Sequence, residues 1–160
     1  MSVESDLLRQ TMRFWATGVT VVTTEHLGVQ HGMTVSSFTV LSLTPAQVLI
    51  SLAQSARTHE LVTLSHSFGI SILSAKQQDI SERFAGRTPE EQDRLAGLET
   101  FTMTSGAPLI AGALAHLDCR VATSFTVGTN TIFIGDVLAT KSIEDGEPLM
   151  YFNRGYRKLA

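Results

Sequence analysis

The residues best placed to do chemistry are small hydroxyls and one arginine. Thr34, Ser36 and Ser37 fall within Met33-Thr-Val-Ser-Ser-Phe38, and Ser51, Ser55, Arg57 and Thr58 within Ser51-Leu-Ala-Gln-Ser-Ala-Arg-Thr-His59. In the second run an apolar strand gives way to the first turn of a helix. A helix start presents free N–H groups and a positive dipole end, and an arginine adds a two-pronged donor. That combination suits an anion, with phosphate the natural ligand. The competing reading is that Ser55 or Thr58 only caps the helix while Arg57 faces water. The first run offers backbone and hydroxyl donors at a strand end, which suit the polar edge of a planar heterocycle. An edge strand with solvated serines would look the same, and the residues alone leave both readings open.

Other chemistry is missing. No two glycines are separated by one residue, so there is no Gly-x-Gly-x-x-Gly fingerprint, and neither a P-loop nor a Gly-x-Ser-x-Gly elbow occurs. One cysteine cannot form a Cys-x-x-Cys pair. The histidines (His26, His31, His59, His66, His116) lack the i, i+4 spacing of a helical metal site, and His59 and His66 read as two surface residues flanking a short helix. Asp118 precedes Cys119, but strand alternation puts them on opposite faces, and an adjacent acid would raise a thiol's pKa. Cys119 therefore reads as a small core hydrophobe, and covalent or acid–base catalysis has no clear home.

The elements that must position these residues come from composition and periodicity. The chain has 160 residues, 43% hydrophobic and 17% charged, with a formal net charge of −3. That size and balance predict one domain over 1–160 and exclude general disorder. The charge has the wrong sign for nucleic-acid binding. No apolar run reaches the about 18 residues of a membrane span, and the acidic start is unlike a signal peptide. A cytoplasmic protein is expected, and its apolar richness hints at an oligomer.

Leu8, Met12 and Trp15 fall on one face of a helix over the first dozen residues, closed by Gly18. Strand alternation follows at Val19–Val22. Gly28 and Gly32 bracket a turn, and strands are expected at Met33–Phe38, Val48–Leu52 and Phe68–Leu73. A short helix over Thr58–Leu64 lies between the last two. Ser74-Ala-Lys-Gln77 fits a capping box for a helix carrying Ile80 and Phe84 and stopping at Gly86. Thr88-Pro-Glu-Glu91 has the same signature and predicts a second helix ending at Gly97. Strands at Leu114–Phe125, Thr131–Thr140 and Leu149–Phe152 complete a mainly β chain, better suited to a barrel than to a parallel sheet.

Several segments, in order along nearly the whole chain, carry a resemblance. They are Phe14-Trp-Ala-Thr-Gly-Val-Thr-Val-Val22, Gly32-Met-Thr-Val-Ser-Ser-Phe38, Ser51–Thr58 with its Ser-x-Arg-Thr, and Arg83-Phe-Ala85. Gly106-Ala-Pro-Leu109, Leu117-Asp-Cys119, Thr131-Ile-Phe-Ile-Gly-Asp-Val137 and Arg154-Gly-Tyr156 continue the series. Together they resemble the short flavin reductase family, the reductase components of two-component flavin monooxygenases. The resemblance implies an FMN-binding split β-barrel of Greek-key type with a few peripheral α-helices, normally a homodimer with flavin sites near the subunit interface. It implies reduction of FMN or FAD by NADH or NADPH and delivery of reduced flavin to a flavin-dependent monooxygenase. By the same resemblance Met33, Thr34, Val35, Ser36 and Ser37 line the isoalloxazine ring. Ser51, Leu52, Ser55, Arg57 and Thr58 serve the ribityl chain and phosphate. Arg83, Phe84 and Ala85 close over the flavin, and Thr17 touches it from the first strand. Hydride passes between cofactors, which accounts for the missing catalytic constellation.

One position departs from the family pattern. Where a Gly-Asp-His triplet usually precedes the Thr-Ile-Phe-Ile-Gly strand, this chain has Gly128-Thr-Asn130. Asn130 keeps hydrogen-bonding capacity for a nicotinamide but carries no charge. Its alternative role is a turn residue in left-handed backbone. Two other functions compete with a flavin reductase. One is a split-barrel oxidoreductase with tightly bound FMN acting on another acceptor, and the other a flavin-binding module with little reductase activity.

Overall fold

The computed structural model describes residues 1–160. In chain order the elements are α1 (Ser5–Met12), β1 (Thr17–Gly18), β2 (Thr20–His26), β3 (Val29–Val35), β4 (Phe38–Leu43), β5 (Ala46–Ala53), α2 (Arg57–Ser65) and β6 (Ser67–Ile72). After a 3-10 turn come α3 (Gln78–Glu82) and a π-helical turn (Arg83–Arg87). Then follow β7 (Thr100–Phe101), β8 (Leu109–Ile110), β9 (Ala115–Val127), β10 (Asn130–Ser142), β11 (Met150–Phe152) and β12 (Gly155–Arg157). The chain is mainly β, as the alternation predicts.

Seven strands form one sheet in the order β3-β2-β6-β9-β10-β5-β4, with every pairing antiparallel. Its two edge strands, β3 and β4, are consecutive in sequence, separated only by Ser36 and Ser37. So short a link forces the sheet to curl, although no ladder pairs β3 with β4 and the cylinder is not closed by hydrogen bonds. At the corner, Ser37 Oγ donates to Ser51 O at 2.7 Å and Ser51 N donates to Ser37 O at 3.2 Å.

Two cores flank the sheet. Val22, Val35, Ile50, Leu52, Phe68, Cys119 and Phe133 fill one, and Val19, Val21, Leu73, Phe84, Leu95 and Leu149 the other. Val21 and Val22 are adjacent, fully buried and assigned to opposite cores. Period-2 alternation produces this when both faces of a strand are covered. Cys119 lies in the first core with its thiol pushed up to about 12, by burial first and then by Asp118 and Asp136. It is the inert core residue expected. Asp118, also fully buried, accepts hydrogen bonds from the Ser105 N–H at 2.7 Å and from the Ser105 hydroxyl.

The structure departs from the expected elements in several places. Gly32 lies inside β3 rather than at a turn. A Cβ there would come 2.8 Å from Phe84 Cε1 and 2.9 Å from Thr23 Cγ2, so glycine is required for the Phe84 ring to lie against the strand. The strand expected at Met33–Phe38 breaks at the Ser36–Ser37 corner, and β4 begins at Phe38. No helix forms over 88–97, which is a series of turns. The capping box there fails because the Thr88 N–H already donates to Arg83 O, closing the π turn at 3.2 Å. Gly86, at φ 113°, sits inside that turn in a conformation other residues avoid. The box at Ser74 does form, with the Ser74 N–H donating to Gln77 Oε1 at 3.0 Å. Helix α1 forms as expected, but Leu8, Met12 and Trp15 are at least half exposed, and Phe14 beside them is exposed too. No helix is long and apolar enough to cross a membrane.

Candidate functional site

A cavity of about 670 Å³ opens where β3 ends. Met33, Thr34, Val35 and Ser36 form one wall, and Phe84, Ala85 and Gly86 of the π turn face them. Thr17 of β1, Tyr151 and Tyr156 lie on a third side. Two hydrogen bonds fix the walls to each other: Thr34 Oγ1 donates to Ser81 O at 2.7 Å, and Ser81 Oγ meets Tyr156 Oη at 2.8 Å. The opening is therefore built by strands and by a helix locked to them. Its size falls in the ordinary range for small-molecule sites, roughly 300–1,000 Å³. Ser36 is exposed at the corner, and no other group of the chain takes its N–H or its hydroxyl.

A second cavity, about 540 Å³, lies along the start of α2 and includes Ser55, Arg57 and His59. Glu90 and Glu91 line both cavities, so the two adjoin there. The first turn of α2 has no capping side chain of its own. Ala56 is the N-cap, and Thr58 turns inward, its Oγ1 2.8 Å from His31 Nδ1. The one side chain that reaches the helix start is Glu90, which accepts the Arg57 N–H at 3.0 Å. Neither Ser55 nor Thr58 caps this helix.

The expected site residues thus divide. Thr17, Met33, Thr34, Val35, Ser36, Phe84 and Ala85 meet at the first cavity, and Ser55 and Arg57 at the second. Ser37 faces a third hollow near Arg13 and Trp15. Ser51 is half-buried at the corner, where its Oγ accepts from Asn130 Nδ2 at 3.1 Å. Leu52 points into the core and Thr58 is fully buried beneath α2. The Arg83 guanidinium turns away to donate to Ala96 O at 3.0 Å. Asn130 pairs within the ladder with Ala53 and Val127, and the left-handed backbone of its hairpin falls on Gly128 instead. The turn role suggested for Asn130 is therefore Gly128's.

Residues that the sequence reading did not assign to a site also line it. Arg94 is 3% exposed. Its Nε donates to Thr88 O at 2.8 Å and its Nη1 to Gly32 O at 3.0 Å, pinning the 88–97 segment over β3. Glu90 extends 3.5 Å from Arg94 Nη2 and 3.7 Å from His31 Nε2. His31 is buried, and that burial pushes its pKa below the usual 6.5 despite Glu90, so the pair is not an ion pair at neutral pH. His59 is only half-buried; its Nε2 lies 2.7 Å from Thr131 Oγ1, and burial lowers its pKa too. It is not the free surface residue expected. No group of three or more metal-ligating side chains occurs.

The flavin reductase like domain family matches residues 12–160, and the chain belongs to that family. An NADH-dependent flavin reductase from Rhodococcus sp is 37% identical over 155 residues, covering 95% of this chain and 85% of that protein. Among solved structures, the NADH:FAD oxidoreductase of Streptomyces globisporus superposes with a TM-score of 0.93 at 34% identity, covering 100% of this chain and 96% of that one. The styrene monooxygenase flavin reductase of Pseudomonas putida S12 gives 0.85 at 36% identity, covering 96% and 97%.

Proposed function

We infer that the protein is an NADH-dependent flavin reductase that supplies reduced flavin to a partner flavin-dependent monooxygenase. The observation that carries this reading is a cavity of small-molecule size adjoining a helix start whose first N–H is held by a carboxylate from elsewhere in the chain. The relatives, NADH-dependent reductases acting on flavin and the flavin reductase of a styrene monooxygenase, support it. The bound flavin and NADH together supply hydride acceptor and donor.

The protein's part is binding and orientation. Met33 to Ser36 and the Phe84–Ala85 turn hold the ring in the first cavity, with Thr17 at its edge. The free N–H and hydroxyl of Ser36 serve its polar rim, where fixed donors stabilise developing negative charge. Ser55 and Arg57 hold the phosphate at the start of α2. Ser37 and Ser51 fix the corner between the two ends, while Leu52, Thr58 and Arg83 support these residues from behind. Asn130, whose amide donates to Ser51 Oγ, would supply a neutral hydrogen-bonding group to the nicotinamide.

The curled sheet is a split barrel in this reading, because β3 and β4 are its two edges joined by two residues. The exposed Phe14 and Trp15 beside α1, and Phe125 and Val127 on the long hairpin, suit burial against a second copy in a homodimer. Light scattering near twice 17.3 kDa checks that arrangement. Function is tested by following NADH oxidation with and without added FMN, FAD and riboflavin. Turnover that depends on added flavin is expected. Turnover without it, with flavin retained on dilution, indicates a tightly bound prosthetic group, and no turnover with any flavin overturns the reading.

A further inference from the structure

The start of α2 is held by an anion from elsewhere in the chain. The Glu90 carboxylate accepts the Arg57 N–H at 3.0 Å, although the two residues are 33 apart in sequence. Its Oε2 lies 3.7 Å from His31 Nε2, and its Oε1 lies 3.5 Å from Arg94 Nη2. His31 is 1% exposed, and its Nε2 has no hydrogen-bond partner. Nitrogen atoms from β3, from α2 and from the 88–97 segment thus converge on one small volume. The group filling it is itself replaceable, being a side chain 45% exposed on a segment without regular structure. Glu90 also lines both cavities, so it stands where a flavin's tail passes from one to the other.

We propose that Glu90 is a built-in competitor for the flavin phosphate, and that this residue sets how strongly the protein discriminates phosphorylated flavin from riboflavin. The proposal rests on the reading of the α2 start as the phosphate end. A phosphate and a carboxylate cannot share one N–H position, and like charges at this range repel. Phosphate has more charge and a third acceptor oxygen, so it takes the donors and Glu90 swings out through its exposed side. The net gain is only the difference between the two anions. Riboflavin, with no phosphate, leaves the carboxylate where it is. The same exchange keeps the affinity for FMN moderate, as a protein that hands its flavin on requires.

Flavin titrations on the full-length Glu90→Gln variant test this. Glutamine keeps an acceptor and loses the charge, so the FMN dissociation constant should fall about 3- to 10-fold. Riboflavin binding should stay within about twofold, because no phosphate is involved. Glu90→Asp keeps the charge but withdraws it by one methylene, and tightening in the same direction is expected; it serves as the test should Glu90→Gln fold poorly. Glu99→Gln removes an exposed carboxylate that lines neither cavity, and should leave the FMN-to-riboflavin ratio as it is in the natural protein. Unchanged or weaker FMN binding in the Glu90 variants, or equal tightening in Glu99→Gln, overturns the proposal. Arg57→Ala separates that failure from a deeper one. If Arg57→Ala loses FMN selectively while Glu90→Gln changes nothing, the phosphate end stands and only the competitor falls. If Arg57→Ala also leaves the ratio unchanged, the phosphate placement itself is wrong.

Discussion

The two ends of the site are built differently. The ring end is an extension of the core: Phe84 is 1% exposed, belongs to a buried cluster, and faces the cavity from a turn pinned to β3. The tail end is assembled from a helix start, a half-exposed carboxylate and a segment held by one buried arginine. Damage at the ring end should therefore cost stability as well as binding, whereas damage at the tail end should cost binding alone. On the proposed reading, stable packing would position the ring and replaceable polar contacts would let the flavin leave.

The largest expected effect is at the ring end. Phe84→Ala removes a fully buried ring, and such truncations cost about 3–5 kcal/mol of stability. Urea unfolding should show the midpoint falling by that equivalent, with flavin binding lost in parallel. A stable Phe84→Ala protein would break the comparison.

Acid gives a smaller effect, on stability, through histidines that do not line the ring cavity. His31, His59 and His116 all have pKa values lowered from 6.5, each chiefly by burial. The unfolded chain then binds protons more readily than the folded one, so stability is full above pH 6.5 and declines as pH falls through it. Denaturant midpoints measured at several pH values should be level above that point and drop below it. A midpoint that holds or rises on acidification contradicts the assignment of three neutral imidazoles.

The smallest effect belongs to Asn130 at the corner between the ends. An amide there does not titrate, so the natural reduction rate should be nearly flat between roughly pH 6 and 8. Asn130→His should alter the nicotinamide KM and introduce a pH dependence, with flavin affinity little changed. If only thermal stability falls, Asn130 does no more than hold Ser51.

The strands were legible in the sequence because period-2 alternation of Val, Ile and Thr is local, as in Thr20–His26 and Thr131–Thr140. The hydroxyl clusters and Arg57 were legible because their spacing around a strand-to-helix junction carries a chemical meaning. Gly32 was misread as a turn, since nothing near it in sequence shows that Phe84 presses on it from 52 positions away. The 88–97 helix had good local signals and lost to a competing local one, the preceding π turn whose Arg83 carbonyl takes the Thr88 N–H. Glu90 sits inside the apparent capping box and Arg94 in no motif at all; each charge gains its meaning only from the helix end and the carbonyls it meets.

The central claim is that the two cavities form one flavin site with the phosphate at α2. Comparing FMN with riboflavin affinity in the natural protein and in Arg57→Ala tests it most directly. A charge-assisted hydrogen bond of roughly 1.5–3 kcal/mol predicts an FMN dissociation constant about 10- to 100-fold higher, with riboflavin unaffected and stability unchanged. Equal weakening of both flavins would contradict the account.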